Sequence, residues 1–322
     1  MVSLIFLIFN DLKHLHNLLL LKTQFLFAIK LLIVFNAFAQ NNNEQLELKI
    51  ENDKLVLVDR YYTSGLFLTY RKDLKNNFIL KKAESNKLQL NITLGNETYT
   101  PTNLRSIDPR DFDRPYAGWF FVKAEIGKIK VNSAFFIALE TGITGEEALS
   151  GKIQTWAHEF FNIDVPTWTQ EIESKFLINL KARYIWNIPF SKRQAFKYVI
   201  EPSLGTKDIY LSNNIEYAFG KLNTFNSSSR NNFIDSTNTN EFFGLISLGH
   251  RYVLHNTLIQ GSLDYNDKTF TTNHEPHIFE LKIGGTLKFK KNTLKLIYNF
   301  NTKETPLSSS HSFGTLSFSR NF

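Results

Sequence analysis

The sequence predicts an all-β protein, a transmembrane antiparallel β-barrel of twelve strands with one short helix near residues 152–162, and three observations lead there. From residue 46 onward apolar and polar residues alternate with a period of two, the pattern of strands with one apolar and one polar face. Beyond residue 39 no apolar run reaches the ~20 residues a membrane helix needs, so a spanning chain would have to be a closed barrel. The chain also ends on an alternating strand, Leu316 and Phe318 preceding Phe322 in register, and a terminal aromatic of this kind is what barrel-assembly machinery reads.

Residues 22–39 open with Lys22 and run through Lys30 and Leu31–Phe35 to Ala37-Phe38-Ala39, the layout of a secretory signal peptide cleaved after Ala39. The stretch from Met1 to Leu21 adds a second apolar patch and makes the leader long. Lys30 and Asn36 interrupt the apolar run, which ranks a transmembrane anchor below a cleaved leader. The organisation expected is therefore a signal peptide over 1–39 and a single outer-membrane domain over 40–322.

The strands begin with Leu46, Leu48 and Ile50 set against Glu47, Lys49 and Glu51. Candidates follow at 66–74, at 88–94, at 116–129 and at 132–143. Next comes a strong one, with Phe176, Ile178, Leu180, Ala182, Tyr184 and Trp186 opposing Asn179, Lys181 and Arg183. Further candidates lie at 194–206, 210–222, 242–255, 257–266, 279–289, 293–303 and 312–322. That makes about thirteen, and because bacterial outer-membrane barrels have even strand numbers one of them is split, non-spanning or misread. A soluble β-sandwich would alternate in the same way. The barrel is favoured by aromatic residues near strand ends (Tyr184 and Trp186, Tyr298 and Phe300) and by short turns, at Asn256 and at Lys291-Asn292, beside a long Ser/Asn/Thr-rich connection from Asn223 to Glu241.

The chain has no cysteine, which excludes disulfides, zinc knuckles and thiol nucleophiles. Its formal charge of +7 falls to +5 once the leader, with Lys13, Lys22, Lys30 and Asp11, is removed. A basic excess suits phosphate, whether on a lipid headgroup or on nucleic acid, but no motif supports nucleic-acid binding.

Three polar blocks interrupt the plain alternation. The first is Glu51-Asn52-Asp53, followed by Asp59-Arg60-Tyr61-Tyr62-Thr63-Ser64-Gly65. Such a density of hydrogen-bonding groups costs stability unless it is paired or used. The second is Asp113-Arg114-Pro115-Tyr116-Ala117-Gly118-Trp119, after Tyr99-Thr100-Pro101. Pro115 places it at a strand start, where Asp113 and Arg114 read first as an ion pair holding a turn. The third runs from Gln154 to Asp164: Trp156 and Phe160 recur at helical spacing, and Gln154 and His158, four apart, share a face of that helix. The other histidines, such as His250 and His311, read as ordinary packing or surface residues.

In this order, over roughly residues 46–170, the blocks resemble the outer-membrane lipid A 3′-O-deacylase family, with barrel-level similarity on to the C-terminus. Asp-Arg-Pro-Tyr-Ala-Gly-Trp and Asp-Arg-Tyr-Tyr-Thr-x-Gly are long and specific; Gln-x-x-x-His alone is weak. The resemblance implies a twelve-stranded barrel and a calcium-dependent esterase that removes the 3′-linked acyloxyacyl chain of lipid A, with lipopolysaccharide as substrate and outer-membrane lipids around it. Residue by residue it implies catalytic roles for Asn52, Asp53, Thr63 and His158, and it places an acidic residue of the site at Asp164. The sequence departs from the family at Asn96, where Gln is common, and around Trp168.

The residue types agree with that chemistry. An imidazole can take a proton from water near neutral pH, which fits His158 as general base. Asp53, Asp164 and Asn52 supply oxygen ligands of the kind Ca²⁺ takes, and Ca²⁺ would polarise the ester carbonyl. Thr63 would orient water or donate to the oxyanion. Ser64 or Thr63 as nucleophile ranks second. Two alternatives share the fold: an outer-membrane phospholipase, and a structural or transport barrel without the activity. Lys181 and Arg183 are generic inward candidates for gripping phosphate.

Overall fold

In the computed structural model the alternating segments become twelve antiparallel strands: β1 (Glu44–Asn52), β2 (Tyr61–Leu74), β3 (Lys87–Thr100), β4 (Ala117–Ile129), β5 (Ser133–Thr144), β6 (Phe176–Ser191), β7 (Gln194–Gly205), β8 (Asp208–Lys221), β9 (Glu241–Asn256), β10 (His277–Phe289), β11 (Asn292–Asn301) and β12 (His311–Asn321). Each pairs with its sequence neighbours, and β1 closes on β12 in a register that sets Leu48 opposite Phe318. The structure describes residues 43–56, 60–74, 86–235, 239–263 and 267–322, so the leader expected over 1–39 and Asp59 lie outside it.

Period-two alternation decides which side chains face where. On β3, Gln89, Asn91 and Thr93 turn inward and are buried, while Ile92 and Leu94 are exposed on the outside. The same holds around the wall, where Leu66, Leu68, Val122, Ile137 and Leu139 stand outward. An apolar exterior around a polar interior is the arrangement a bilayer stabilises. Exposed aromatics ring both ends, with Phe190, Phe219, Phe242 and Phe289 at one and Phe176, Tyr252, Phe279 and Tyr298 at the other. No helix among the described residues is long and apolar enough to cross a membrane.

The two ends differ. At the end where β1 begins, β6–β7 and β10–β11 are joined by Lys192-Arg193 and by Lys290-Lys291, the latter with Lys290 in the left-handed region at φ 51°. At the other end lie the connections 101–116, 145–175, 257–276 and 302–310. Short turns face the periplasm and long loops face outward in outer-membrane barrels; the site residues are therefore on the outward end.

The strand expected at 257–266, with Asn256 as the turn before it, needs correcting here. Residues 257–263 do not form a strand: Thr257–Gln260 is a helical turn, capped by Asn256 Oδ1 accepting from Leu258 N at 3.0 Å and ended by Gly261 at φ 76°. Asn256 is thus a helix cap, and the even strand count follows. The connection after β8 is long, as expected, and its residues 222–235 fold into the periplasmic end of the lumen. Phe225 and Phe233 join Ile129, Phe136 and Ile185 in a buried cluster. Lys87 Nζ donates to the carbonyls of Asn226 and Ile234, Ile234 N donates to Gln89 Oε1 at 3.0 Å, and Lys288 pairs with Asp235.

Candidate active site

The site grows from the outward ends of β1 and β2. Asn52 closes β1, and its carboxamide oxygen accepts from Lys54 N at 2.8 Å, turning the chain into a short 3₁₀ segment (Asp53–Val56). Asp53 opens that segment with its side chain fully buried, and its Oδ2 accepts from Arg60 N at 2.7 Å, which ties the two ends of the connection together. Glu51, by contrast, faces the lumen, where Tyr62 Oη donates to it at 2.6 Å and Lys49 at 2.8 Å.

Re-entry into β2 is irregular. Tyr61 lies at φ 63°, a conformation a bulky side chain adopts only at a cost of ~1–3 kcal/mol. Tyr62 pairs with Tyr99 and Ser64 with Thr98, leaving Thr63 as an extra residue in the ladder. A bulge of this type re-aims a side chain. Tyr62 reaches Glu51 inside the barrel, whereas Thr63 is buried against the loops outside, on the face that carries Leu66 and Leu68.

What buries Thr63 is the helix of the β5–β6 connection, α1 (Ser150–Phe161). Ser150, Gln154 and His158, one helical turn apart, are its buried residues, and this polar stripe lies on the outer wall. Ser150 Oγ donates to the Glu97 carbonyl at 3.1 Å, and Asn96 Nδ2 donates to the Ala148 carbonyl at 2.8 Å. Gln154 Nε2 donates to Thr63 Oγ1 at 3.4 Å, while its Oε1 accepts from Trp168 Nε1 at 2.9 Å. Gly118 is required beneath the helix, since a Cβ there would stand 2.7 Å from Ser150 Oγ. The helix thus brings Gln154 over the bulge of β2, with His158 ~6 Å further along the same face.

His158 Nδ1 lies 2.6 Å from the main-chain carbonyl of Asp164. A carbonyl only accepts, so Nδ1 carries the proton and Nε2 of the neutral ring is left with a lone pair. The Asp164 carboxylate is exposed and pairs with Arg105; the structure brings the main chain of Asp164, not its side chain, onto His158.

The second polar block is structural, but Asp113 and Arg114 take other partners rather than each other. Asp113 accepts from Thr102 N, Thr102 Oγ1 and Tyr61 Oη, whereas Arg114 is buried against Tyr99 and bonds Glu304 at 3.0 Å. Lys181 and Arg183 are likewise committed, to Glu140 and Glu125 inside the lumen. His311 is a packing residue, with Nε2 at 2.9 Å from the Tyr62 carbonyl.

Sequence reasoning missed Glu171. It lines a cavity of about 650 Å³ beside α1, together with Glu146, Lys152, Thr155, Glu159 and Trp168. Burial, then repulsion from Glu146 and Glu147, pushes its carboxyl up to about 7, against the opposing pull of the Gly118 N–H. No local motif signals it, because its environment comes from three separate segments. Ser150 was legible as the missing first member of a polar stripe at 150, 154 and 158.

Comparison with known proteins bears on the family and the fold. A family model described as "Outer membrane protein LpxR" matches residues 25–322. Among solved structures, LpxR from Salmonella typhimurium superimposes with a TM-score of 0.73 at 20% identity, covering 86% of this chain and 100% of that one. The beta domain of the Bordetella autotransporter BrkA follows at a TM-score of 0.46 and 8% identity, covering 87% and 99%. Among curated proteins no match is found.

Proposed function

The chain belongs to the LpxR family of outer-membrane proteins, and from that premise we propose that it is a lipid A deacylase hydrolysing the 3′-linked acyloxyacyl ester in the outer leaflet. The observation that carries this reading is the His158 ring, held by Asp164 O on the buried face of α1, one helical turn from Gln154, which donates to Thr63.

The donor set suits a hard cation. Asp53 offers a carboxylate, Asn52 a carboxamide oxygen and Thr63 a hydroxyl, all oxygen ligands of the type calcium takes. Among the described residues no three His, Asp or Glu side chains converge into a metal cage, so carbonyls and water would complete the shell. Asp53 and Asn52 would hold the ion, and the Asp164 carboxylate would have to leave Arg105 to join them. Bound there, calcium would supply Lewis-acid stabilisation to the ester oxygen.

The residues of the chain account for the proton movements. His158 Nε2 takes a proton from water as the oxygen attacks the ester carbonyl, and Asp164 O steadies the imidazolium through Nδ1–H. When the tetrahedral intermediate collapses, the same Nε2–H protonates the leaving hydroxyl, releasing a fatty acid and restoring the base. Gln154, fixed by Trp168, positions the Thr63 hydroxyl. Water is the nucleophile in this reading, with Thr63 Oγ1 held by the Gln154 amide, a donor and not a base.

The test is hydrolysis by purified protein in vesicles containing either lipid A or glycerophospholipid, with and without a calcium chelator. The reading expects fatty-acid release from lipid A only, abolished by chelator and restored by calcium. Release from glycerophospholipid alone would make the protein a phospholipase, and chelator-resistant release would remove calcium from the site.

A further inference from the structure

The buried stripe of α1 leaves two different flanks. Lys152, Thr155 and Glu159 lie along one, Ile153, Trp156 and Phe160 along the other. The second flank is unusually open: Trp156 is 65% exposed, Phe160 46% and Ile153 43%, and Phe161 at the helix end is 46% exposed. The rings of Trp156 and Phe160 stack on each other at 5.7 Å. A water-facing loop helix that buries Ser, Gln and His while exposing these side chains inverts the usual arrangement.

The two flanks point in known directions. A Cβ on Gly151, on the polar side, would stand 2.8 Å from the Trp168 ring, and Trp168 packs on Tyr116, which precedes the first residue of β4. The polar flank therefore looks toward the outer loops, Trp156 stands at the boundary, where it also lines the cavity beside Lys152 and Glu159, and Ile153 and Phe160 look back down the barrel wall. Directly below, the apolar belt begins. Asn96, which docks the helix through Ala148 O, is followed on the same face of β3 by exposed Leu94, only ~7 Å along the strand. On β4 the corresponding outward step runs from Gly118, under Ser150, to exposed Phe120 and Val122.

We propose that this flank of α1 is seated among lipid acyl chains of the outer leaflet, so that the bilayer is its packing partner and α1 is an interfacial anchor continuous with the barrel's lipid-facing belt. Aromatic and aliphatic side chains on one flank with charges on the other are what holds a helix in an interface. A second copy of the chain could cover the same patch, but the continuity with the lipid-facing wall and the side-by-side segregation of charge favour lipid. The inference does not depend on the reaction.

The natural absence of cysteine allows single-site labelling. Nitroxide labels at Trp156→Cys and Phe160→Cys are compared, in vesicles of phospholipid and lipopolysaccharide, with Leu94→Cys on the belt and Glu159→Cys on the polar flank. Collision rates with oxygen, which concentrates in hydrocarbon, and with a water-soluble nickel chelate give the environment of each. Labels at 156 and 160 are expected to match the Leu94 label, with an oxygen-to-nickel ratio severalfold above that of the Glu159 label. A ratio equal to that of the Glu159 label would place the flank in water and overturn the proposal. Protection from both reagents, with dipolar broadening between labels, would assign the patch to a second copy instead. Ile153→Cys gives an independent reading of the same flank if either aromatic replacement prevents barrel formation, and because no readout uses hydrolysis, an inactive protein still decides the question.

Discussion

At the scale of single residues, the site depends on groups whose chemistry is set by what touches them. Glu171 is the clearest case. Its carboxyl titrates near 4.5 when free and at about 7 in the folded protein, mainly because it is buried. The folded state binds this proton more tightly than the unfolded chain, so its contribution is full below pH ~4.5 and is lost as pH rises through ~7. On the order of 2 kcal/mol is at stake in the docking of the α1 segment. Glu171→Gln should flatten the pH dependence of amide-exchange protection in α1 between pH 5 and 8, and unchanged dependence would assign it to another group. Residue identity was largely legible: Asn52, Asp53, Thr63, Gln154 and His158 stand in motifs that can be read by eye. Their pairing was not, because the Asp164 carbonyl on His158 and the Trp168 indole on Gln154 are contacts made by loop geometry.

At the scale of elements, the strands were legible because alternation extends over ten or more residues, long enough for the period to declare itself. The four-residue helix at Thr257–Gln260 was not, since so short a run shows no period, and its signals were the Asn256 cap and Gly261. The helix α1 was expected, but its docking on the outside of β2–β4 was not, because a polar stripe is indistinguishable from a solvated face until the wall is in place. That docking has a sharp requirement at Gly118, where an added Cβ would lie 2.8 Å from Ser150 Cβ and 3.0 Å from Ala148 Cβ. Gly118→Val should lift α1 from the wall and lower hydrolysis about 100-fold, while the barrel keeps its compact mobility in unheated electrophoresis. Full activity in this variant would mean that the helix need not be seated for the reaction.

At the scale of the whole molecule, the interior of the barrel is lined by groups already committed to one another. Its lumen holds paired charges, among them Lys197 with Glu216 at 2.9 Å and Arg183 with Glu125 at 2.8 Å, which satisfy one another rather than a passing solute. Below a lumen cavity of about 350 Å³ residues 222–235 cross the interior, with Asn231 and Asn232 forming part of the cavity floor. The sequence showed this segment as a polar loop; its partners, Gln89, Asn187, Lys288 and Lys295, are scattered over the chain, so only the closed barrel reveals the plug. In planar bilayers the intact protein should give no conductance steps, and deletion of residues 225–234 should produce them. Steps from the intact protein would favour the transport reading. The central claim, a histidine-dependent lipid A deacylase at the outer rim of this barrel, is tested most directly by mass spectrometry of lipid A from cells producing the protein or its His158→Ala variant. The account predicts loss of the 3′ acyloxyacyl mass with the intact protein and a rate lower by at least ~100-fold in the variant; equal deacylation by both, or intact lipid A with the unaltered protein, would contradict it.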